Sequence, residues 1–169
     1  FALVPVGCGA AIGPSHQLSP EQYETMLHWV CDRRGGPLQL KATCAPHLFR
    51  VLAQRGDTPP AHGRGGALHA ETRGCLAGVS VIFVSHRGEV FPCGYLPVPA
   101  GRLDADGGGI RRIWRDSPLL AELRDVGRLK GACGRCRYKQ TCGGCRARAY
   151  AATGDYLAAE PQCAYVPQT

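Results

Sequence analysis

The sequence lacks the features that would assign it to a membrane or to nucleic acid. It has no apolar run of the roughly 20 residues that a membrane-spanning helix needs, and no segment with the pattern of a signal peptide. The net charge is +7, but the basic residues form no polybasic run. We therefore predict neither a membrane partner nor a nucleic-acid partner.

The composition is also not that of a small disulfide scaffold, although 10 of the 169 residues are cysteine. That share, about 6%, lies below the range of such scaffolds. The cysteines are clustered, whereas a disulfide framework spreads its partners across the chain. We therefore expect a protein of the reducing cytoplasm, whose 44% apolar content is enough for a buried core.

Seven of the cysteines form a spaced series that packing does not explain. In chain order they are Cys75, Cys93, Cys133, Cys136, Cys142, Cys145 and Cys163. Thiolates are soft ligands, which select zinc or iron–sulfur clusters. Zinc ribbons usually separate their two cysteine pairs by about twelve residues or more, but here only five residues lie between Cys136 and Cys142. The spacing favours an iron–sulfur cluster, and a structural zinc site is the alternative.

The N-terminal part of the chain predicts alternating strands and helices. Apolar runs at 1–6 and 38–42 predict strands. Ser19 and Gln22 form a capping box that begins one helix, and Pro46 begins another. Strand–helix–strand–helix order is typical of the α/β class. The first helix is predicted to turn five residues toward the core: Tyr23, Met26, Leu27, Val30 and Cys31.

The rest of the chain predicts loops, one hairpin and short helices. The segments 79–85 and 89–91 predict a hairpin with Gly88 in its turn. This turn would bring Cys75 and Cys93 together. Loops are predicted at 56–66 and 100–109, and helices at 110–114, 117–126 and 146–152.

The cysteine series resembles the SPASM extension of radical S-adenosylmethionine (SAM) enzymes. The matching residues are Cys75-x12-Gly88-x4-Cys93, Cys133-x2-Cys136-x5-Cys142-x2-Cys145 and Cys163. The family usually has three residues between the last two cysteines of the quartet, where this sequence has two. Four further segments resemble the haem-biosynthesis branch of the family: 39–47, 72–75, 92–97 and 142–150.

The resemblance implies auxiliary 4Fe-4S clusters, two as in typical members or one as in others. The first set of ligands would be Cys75, Cys93 and Cys145, with Cys44 as the fourth or with one iron open to a ligand. The second set would be Cys133, Cys136, Cys142 and Cys163. Basic residues near the cysteines would offset the negative charge of such clusters.

The resemblance also implies a division of the chain into parts. Residues 1–55 would be the end of a partial radical SAM barrel, 56–72 a linker, and 73–169 a SPASM domain. The fold class is then α/β, followed by a small loop-rich domain that contains the hairpin. The radical-generating Cys-x3-Cys-x2-Cys loop does not occur in the sequence, which begins at Phe1. We expect that loop, SAM and a further 4Fe-4S cluster in a missing N-terminal part, and no activity from this fragment alone.

Three residues are candidates for contact with a substrate. Barrel enzymes place their chemistry at the carboxyl ends of strands, which puts His47 near the mouth of the active site. His47 would contact a porphyrin carboxylate or transfer a proton, and the alternative is a local hydrogen bond in its helical turn. Arg146 and Arg148 would bind substrate propionates, or would shield the charge of the clusters.

By resemblance, the complete protein is expected to be a radical SAM enzyme that decarboxylates iron-coproporphyrin propionates to give haem. An auxiliary cluster would accept the electron left by loss of carbon dioxide, and a low-potential donor such as ferredoxin or flavodoxin would supply reducing electrons. The alternatives within the branch are a didecarboxysirohaem deacetylase and the enzyme of the denitrification haem. Alternatives of other classes are a peptide-modifying SPASM maturase and a structural zinc module.

Overall fold

A computed structural model of the chain contains short helices and a small antiparallel sheet. The described residues are 11, 16–37, 40, 42–57, 73–105 and 109–168. The α-helices are α1 (Pro20–Asp32), α2 (His47–Arg55), α3 (Ile110–Asp116), α4 (Pro118–Arg124), α5 (Gly131–Arg135) and α6 (Arg146–Thr153). The strands are β1 (Phe83–Val84), β2 (Glu89–Phe91) and β3 (Gly101–Arg102), and a 3-10 helix spans Val126–Arg128. Within these residues, no helix has the length and apolar character needed to cross a bilayer.

Helices α1 and α2 pack against each other and form the first hydrophobic core. The predicted capping box begins α1: the Ser19 N–H donates to Gln22 Oε1 at 2.9 Å, and the Gln22 N–H donates to Ser19 Oγ at 3.2 Å. The core residues of this pair are Tyr23, Leu27, Cys31, Ala45, Val51 and Leu52. The prediction for Met26 is wrong, because 45% of this residue is exposed. The packing positions the start of α2, and with it His47, against α1.

The second predicted strand, at 38–42, is described at only two of its residues, and neither of them lies in a strand. Leu40 and Ala42 belong to no strand, and the other residues of that segment lie outside the described part, as do the predicted strand at 1–6 and Cys8. A strand requires a hydrogen-bonded neighbour, and among the described residues no strand pairs with this segment. The observed elements are compatible with a fragment of an α/β protein.

The predicted hairpin is confirmed. Phe83 pairs with Phe91, and Val84 pairs with Val90, in an antiparallel register. Gly88 lies in the turn with φ 75°, a left-handed conformation that glycine adopts without a steric penalty. Strand β1 is shorter than predicted, because the first residues of the predicted run form a turn.

Strand β3 lies within the segment 100–109, for which a loop was predicted. Gly101 pairs with Val90, and Arg102 pairs with Glu89. A Cβ added at Gly101 would lie 2.9 Å from the Ile113 side chain, so glycine allows α3 to approach the strand closely. The glycine-rich composition favoured a loop, whereas here one glycine serves close packing.

The second hydrophobic core is built by α4, the start of α6 and the segment after β2. Its buried residues are Leu96, Leu119, Leu123, Cys145 and Ala147. Cys44 and Cys93 pack against this core from partly buried positions. The helices predicted at 110–114 and 146–152 are confirmed, and the one predicted at 117–126 ends at Arg124. Three cysteines therefore meet at one apolar interior.

Candidate metal centre

Two distant segments of the chain are joined beside the four-cysteine loop. The Gly74 N–H donates to the Thr141 carbonyl at 2.8 Å, and the Cys75 N–H donates to the Cys142 carbonyl at 2.9 Å. Only glycine fits at position 74, because an added Cβ would lie 1.8 Å from the Cys142 carbonyl oxygen. The backbone thus holds Cys75 against the loop 133–145.

The first group of thiols comes from four separate segments: Cys44, Cys75, Cys93 and Cys145. Burial raises the pKa of Cys93, and the thiols of Cys75 and Cys44 raise it further. Burial also raises the pKa of Cys145 to about 12, and the Cys75 thiol contributes to that rise. Cys44 and Cys93 both pack against the core that contains Cys145, and Cys75 lies beside Gly143, two residues before Cys145. The structure therefore brings Cys44 together with the three cysteines of the first predicted set.

The second group of thiols lines one partly open cavity, which we call the thiol cavity. The cysteines in its wall are Cys133, Cys136, Cys142 and Cys163. Burial raises the pKa of Cys142 to about 12, and the thiols of Cys163 and Cys133 raise it further. His47 and Arg50 complete part of the same wall. The cysteines of the second predicted set therefore face one common space.

Backbone N–H groups donate to sulfur atoms in both groups. The donors and their Sγ acceptors are Tyr95 to Cys93 (3.5 Å), Tyr138 to Cys136 (3.4 Å), Gly144 to Cys142 (3.4 Å) and Glu160 to Cys133 (3.3 Å). Hydrogen bonds to sulfur stabilise a thiolate and help to set the reduction potential of an iron–sulfur cluster. The surroundings of these sulfurs therefore suit cluster ligands.

The pair Gly143-Gly144 allows the four-cysteine loop to close tightly. Both residues are left-handed, with φ 69° and φ 62°. A Cβ added at Gly144 would lie 2.9 Å from Glu160 Cβ and 3.3 Å from Cys133 Sγ. The two-residue spacer before Cys145 is sterically possible because neither residue carries a side chain.

Arg146 is directed into the protein and toward one of the sulfurs. The residue is 3% exposed, and its Nη1 donates to the Tyr156 carbonyl at 3.0 Å and to the Ala158 carbonyl at 2.8 Å. Its Nη2 donates to Cys133 Sγ at 3.6 Å. These contacts fit the shielding role that the sequence left open better than they fit binding of a substrate propionate.

Glu160 is a buried carboxylate between the two groups of thiols, and sequence reasoning missed it. It accepts hydrogen bonds from Arg148 Nε at 2.9 Å, from Arg148 Nη2 at 3.1 Å and from the Cys145 N–H at 2.6 Å. Arg148, 1% exposed, also donates to the Cys44 carbonyl at 2.9 Å. Burial acts to raise the pKa of Glu160, but the Arg148 charge and the hydrogen bonds from Arg148 and the Cys145 N–H together lower that pKa, so the carboxylate stays ionised. A single acidic residue near Cys163 forms no pattern that could have revealed this role.

His47 lies in the wall of the thiol cavity, but it is buried, and its ring has no hydrogen-bond partner among the described residues. It is 1% exposed, and its Nε2 lies 3.8 Å from Glu160 Oε2, beyond hydrogen-bond distance. Burial lowers the pKa of His47 to about 4, so the ring is neutral at pH 7. Neither ring nitrogen of His47 has a partner among the described residues. The local hydrogen bond that was the alternative prediction is therefore not formed with any of them.

Arg50 of α2 is a second buried residue that the sequence did not reveal. It is 1% exposed, and its Nη1 donates to Glu24 Oε1 of α1 at 2.8 Å. Its guanidinium carbon lies 5.3 Å from the centre of the Tyr165 ring. The helix sequence alone does not distinguish such an arginine from an exposed one. In the structure Arg50 adds a positive charge to the wall of the thiol cavity.

The nine described cysteines are all free thiols. Within the described part, no three Cys, His, Asp or Glu side chains converge on a position for one metal ion. A 4Fe-4S cluster takes one thiolate at each iron, so its four ligands surround a volume and do not converge on a point. Two groups of four thiols each, rather than one point of convergence, are the arrangement that suits such clusters.

Comparison with known proteins confirms the resemblance found in the sequence. No family model matches the chain. A protein of Methanosarcina barkeri named AdoMet-dependent heme synthase is 48% identical over 174 residues, which cover 99% of this chain and 47% of that protein. A protein of the same name from Oleidesulfovibrio alaskensis is 40% identical over 99% of this chain and 43% of its own length. The PqqA peptide cyclase of Rhodopseudomonas palustris is 33% identical over 58% of this chain and 28% of its own length. The chain thus spans about half the length of the heme synthases that it matches.

Proposed function

We propose that this chain, a relative of the AdoMet-dependent heme synthases, is the auxiliary-cluster part of a radical SAM enzyme of haem biosynthesis. Residues 1–55 would complete a partial barrel, 56–72 would be a linker, and 73–169 would be a SPASM domain. The observation that carries the proposal is the division of eight thiols into two groups, one around an apolar core and one around a cavity.

Both groups of thiols fit 4Fe-4S clusters by their donor chemistry. Four thiolates form the usual ligand set of such a cluster. Arg146 Nη2, 3.6 Å from Cys133 Sγ, would offset part of the negative charge. The first cluster would be held by Cys44, Cys75, Cys93 and Cys145, and the second by Cys133, Cys136, Cys142 and Cys163. When bound, these clusters would supply one-electron acceptors close to a substrate.

The reaction that we propose for the complete protein is oxidative decarboxylation of iron-coproporphyrin propionates to give haem. A radical derived from SAM takes one hydrogen atom next to the carboxylate-bearing carbon, the bond to the carboxylate breaks, and carbon dioxide leaves. One further electron must be removed, which requires a nearby acceptor. Residues of this chain would hold that acceptor away from water, because Cys142 and Cys145 are each only 8% exposed. A ferredoxin or flavodoxin would supply the electron for SAM cleavage.

A second candidate function is modification of a peptide. It is favoured by the 33% identity to proteins named PqqA peptide cyclase and mycofactocin maturase MftC. Those similarities cover 58% and 60% of the chain, whereas the heme synthases match 99%. The haem reaction therefore ranks first, and the didecarboxysirohaem deacetylase and the denitrification-haem enzyme are the alternatives to it within the same branch.

The cluster part of the proposal is tested by iron, sulfide and zinc analysis of the full-length protein, reconstituted without oxygen. Two auxiliary clusters and the radical-generating cluster predict about twelve irons. Cys136→Ala should lose about four irons and one reduced-cluster signal in electron paramagnetic resonance (EPR). Cys31→Ala is the matched control, because Cys31 is buried in the first core. Bound zinc without sulfide would overturn the proposal.

The substrate part is tested by incubating the reconstituted full-length protein with SAM, a reductant and one substrate at a time. The substrates are iron-coproporphyrin, didecarboxysirohaem and a precursor peptide, and the products are read by mass spectrometry. Loss of two carboxyl groups from iron-coproporphyrin is the expected result. Conversion of didecarboxysirohaem or of the peptide alone would replace the haem reaction by the corresponding alternative.

A further inference from the structure

We propose that Glu160 is a positioning residue that couples the two auxiliary cluster sites, so that both clusters depend on one buried carboxylate. The inference rests on the proposed function for the existence of two clusters. It concerns a residue that belongs to neither set of ligands. Its basis is that the side chain of Glu160 contacts one group of cysteines and its backbone contacts the other.

The side chain of Glu160 holds the backbone of the first group. Its Oε2 accepts from the Cys145 N–H at 2.6 Å. Its two oxygens also accept from Arg148, at 2.9 Å and 3.1 Å, and Arg148 Nη1 donates to the Cys44 carbonyl at 2.9 Å. Two ligand residues of the first set are thus fixed, one directly and one through a single arginine.

The backbone of Glu160 contacts the second group. Its N–H donates to Cys133 Sγ at 3.3 Å, and Arg146 donates to the same sulfur at 3.6 Å. The backbone at Gly144 passes so close to Glu160 that a Cβ added at Gly144 would lie 2.9 Å from Glu160 Cβ. A displacement of residue 160 therefore moves a hydrogen bond at sulfur as well as the loop that precedes Cys145.

Burial makes this carboxylate sensitive to any loss of its partner. The side chains of Glu160 and Arg148 are 0% and 1% exposed, so each charge is compensated by the other and not by water. A buried ion pair is weak evidence for stability alone, since apolar residues often serve as well. This pair lies between the two groups of ligands and forms hydrogen bonds with both. Its specific role is therefore to position those ligands.

Removal of the carboxylate charge has a predicted direction for both clusters. A nearby negative charge disfavours the reduced form of a cluster, which is the more negative form. Glu160→Gln also leaves the Arg148 cation without its counterion. Both changes favour reduction, so the midpoint potentials of both auxiliary clusters should rise together.

The test compares full-length wild-type protein with Glu160→Gln in a redox titration followed by EPR and in iron analysis. We expect both auxiliary signals to shift to higher potential or to decrease, with loss of more than one cluster's share of iron. Glu122→Gln is the matched control, because Glu122 binds Tyr156 and Arg128 and contacts neither thiol group. It should leave both signals unchanged.

Two further variants keep the inference falsifiable if Glu160→Gln does not fold. The double variant Glu160→Gln with Arg148→Met removes both buried charges, and Glu160→Asp keeps the charge but shortens the side chain. Each should still alter both signals, with the aspartate closer to wild type. Unchanged signals, or a change confined to one cluster, would overturn the inference. Absence of auxiliary clusters from the wild-type protein would instead overturn the proposed function.

Discussion

The Arg148 guanidinium donates a hydrogen bond to the Cys44 carbonyl at 2.9 Å, across 104 positions of the sequence. Arg148 belongs to α6, and Cys44 lies in the turn that precedes α2. Cys44 has φ 56°, a left-handed conformation that costs a residue with a side chain roughly 1–2 kcal/mol. This partly buried hydrogen bond helps to hold that conformation, and it connects the helical pair α1–α2 to the cysteine-rich part of the chain.

Cys44→Ala should remove the fourth ligand of the first auxiliary cluster. We expect the full-length protein to lose about four irons, or to keep that cluster with an altered EPR signal because one iron is open. Iron analysis and EPR of the reduced protein measure this. The control is Cys31→Ala, which removes another thiol of the α1–α2 region but should leave iron content unchanged. An unchanged spectrum in Cys44→Ala would exclude this cysteine as a ligand.

Gly144→Ala should destabilise the protein and reduce loading of the second cluster. The added Cβ would be 2.5 Å from Arg146 Nη2 and 2.9 Å from Glu160 Cβ, and φ at this position is 62°. We expect a loss of about 1–3 kcal/mol in the free energy of unfolding, measured with denaturant.

Gly154→Ala is the matched control for that substitution. Gly154 has φ 75°, but an added Cβ would meet nothing within 4 Å. It should show only the cost of the left-handed backbone, about 1 kcal/mol, with normal iron content. Equal effects of the two substitutions would mean that the close contacts at Gly144 do not matter.

His47→Gln should reduce the acid sensitivity of folding. Burial lowers the pKa of His47 from 6.5 to about 4. The unfolded chain therefore binds the proton first as pH falls, so stability is complete above pH 6.5 and decreases toward pH 4. Between pH 7 and pH 5 the histidine should account for a loss of about 2 kcal/mol, which the glutamine variant lacks.

The measurement for this prediction is denaturant unfolding of the full-length wild-type and variant proteins at several pH values. His28→Gln is the control, because the His28 side chain is 47% exposed. It should follow the wild-type pH dependence. A parallel pH dependence of His47→Gln and wild type would contradict a buried, neutral His47.

Arg148→Met should affect stability and cluster content more than substrate binding. The substitution leaves the Glu160 carboxylate buried without its cation, which we expect to cost about 3–5 kcal/mol of unfolding free energy. The measurements are denaturant unfolding, iron content and KM for iron-coproporphyrin. Arg135→Met, at an exposed position in α5, is the control and should cost less than about 1 kcal/mol. A raised KM with normal stability and iron content would show that Arg148 binds a substrate propionate instead.

Local features were predictable from the sequence because nearby residues determine them. Ser19 and Gln22 form their capping box within one turn of helix, and Gly88 makes its turn through its own φ angle. Of the strand predicted at 38–42, only Leu40 and Ala42 are described, and neither lies in a strand, because a strand depends on a neighbour from elsewhere in the chain. The same dependence hid β3, which pairs with β2 and whose Gly101 leaves room for the Ile113 side chain.

The sequence by itself determined the chemistry of the site. Cysteine spacing predicts a soft, thiol-rich centre and resembles the SPASM extension, and the match of 99% of the chain to proteins named AdoMet-dependent heme synthase supports the family. Glycine at positions 143 and 144 already allowed a short spacer before Cys145, since glycine tolerates φ above zero.

Only the tertiary structure decided which thiols share a space and what surrounds them. Cys44 joins the first group because Arg148 holds its carbonyl, and Cys75 meets the loop because its N–H bonds to Cys142. Glu160 gains its importance from complete burial between those elements. The physical reason is that hydrogen bonds between distant segments and the exclusion of water arise only when the chain packs, whereas spacing constrains only neighbours along it.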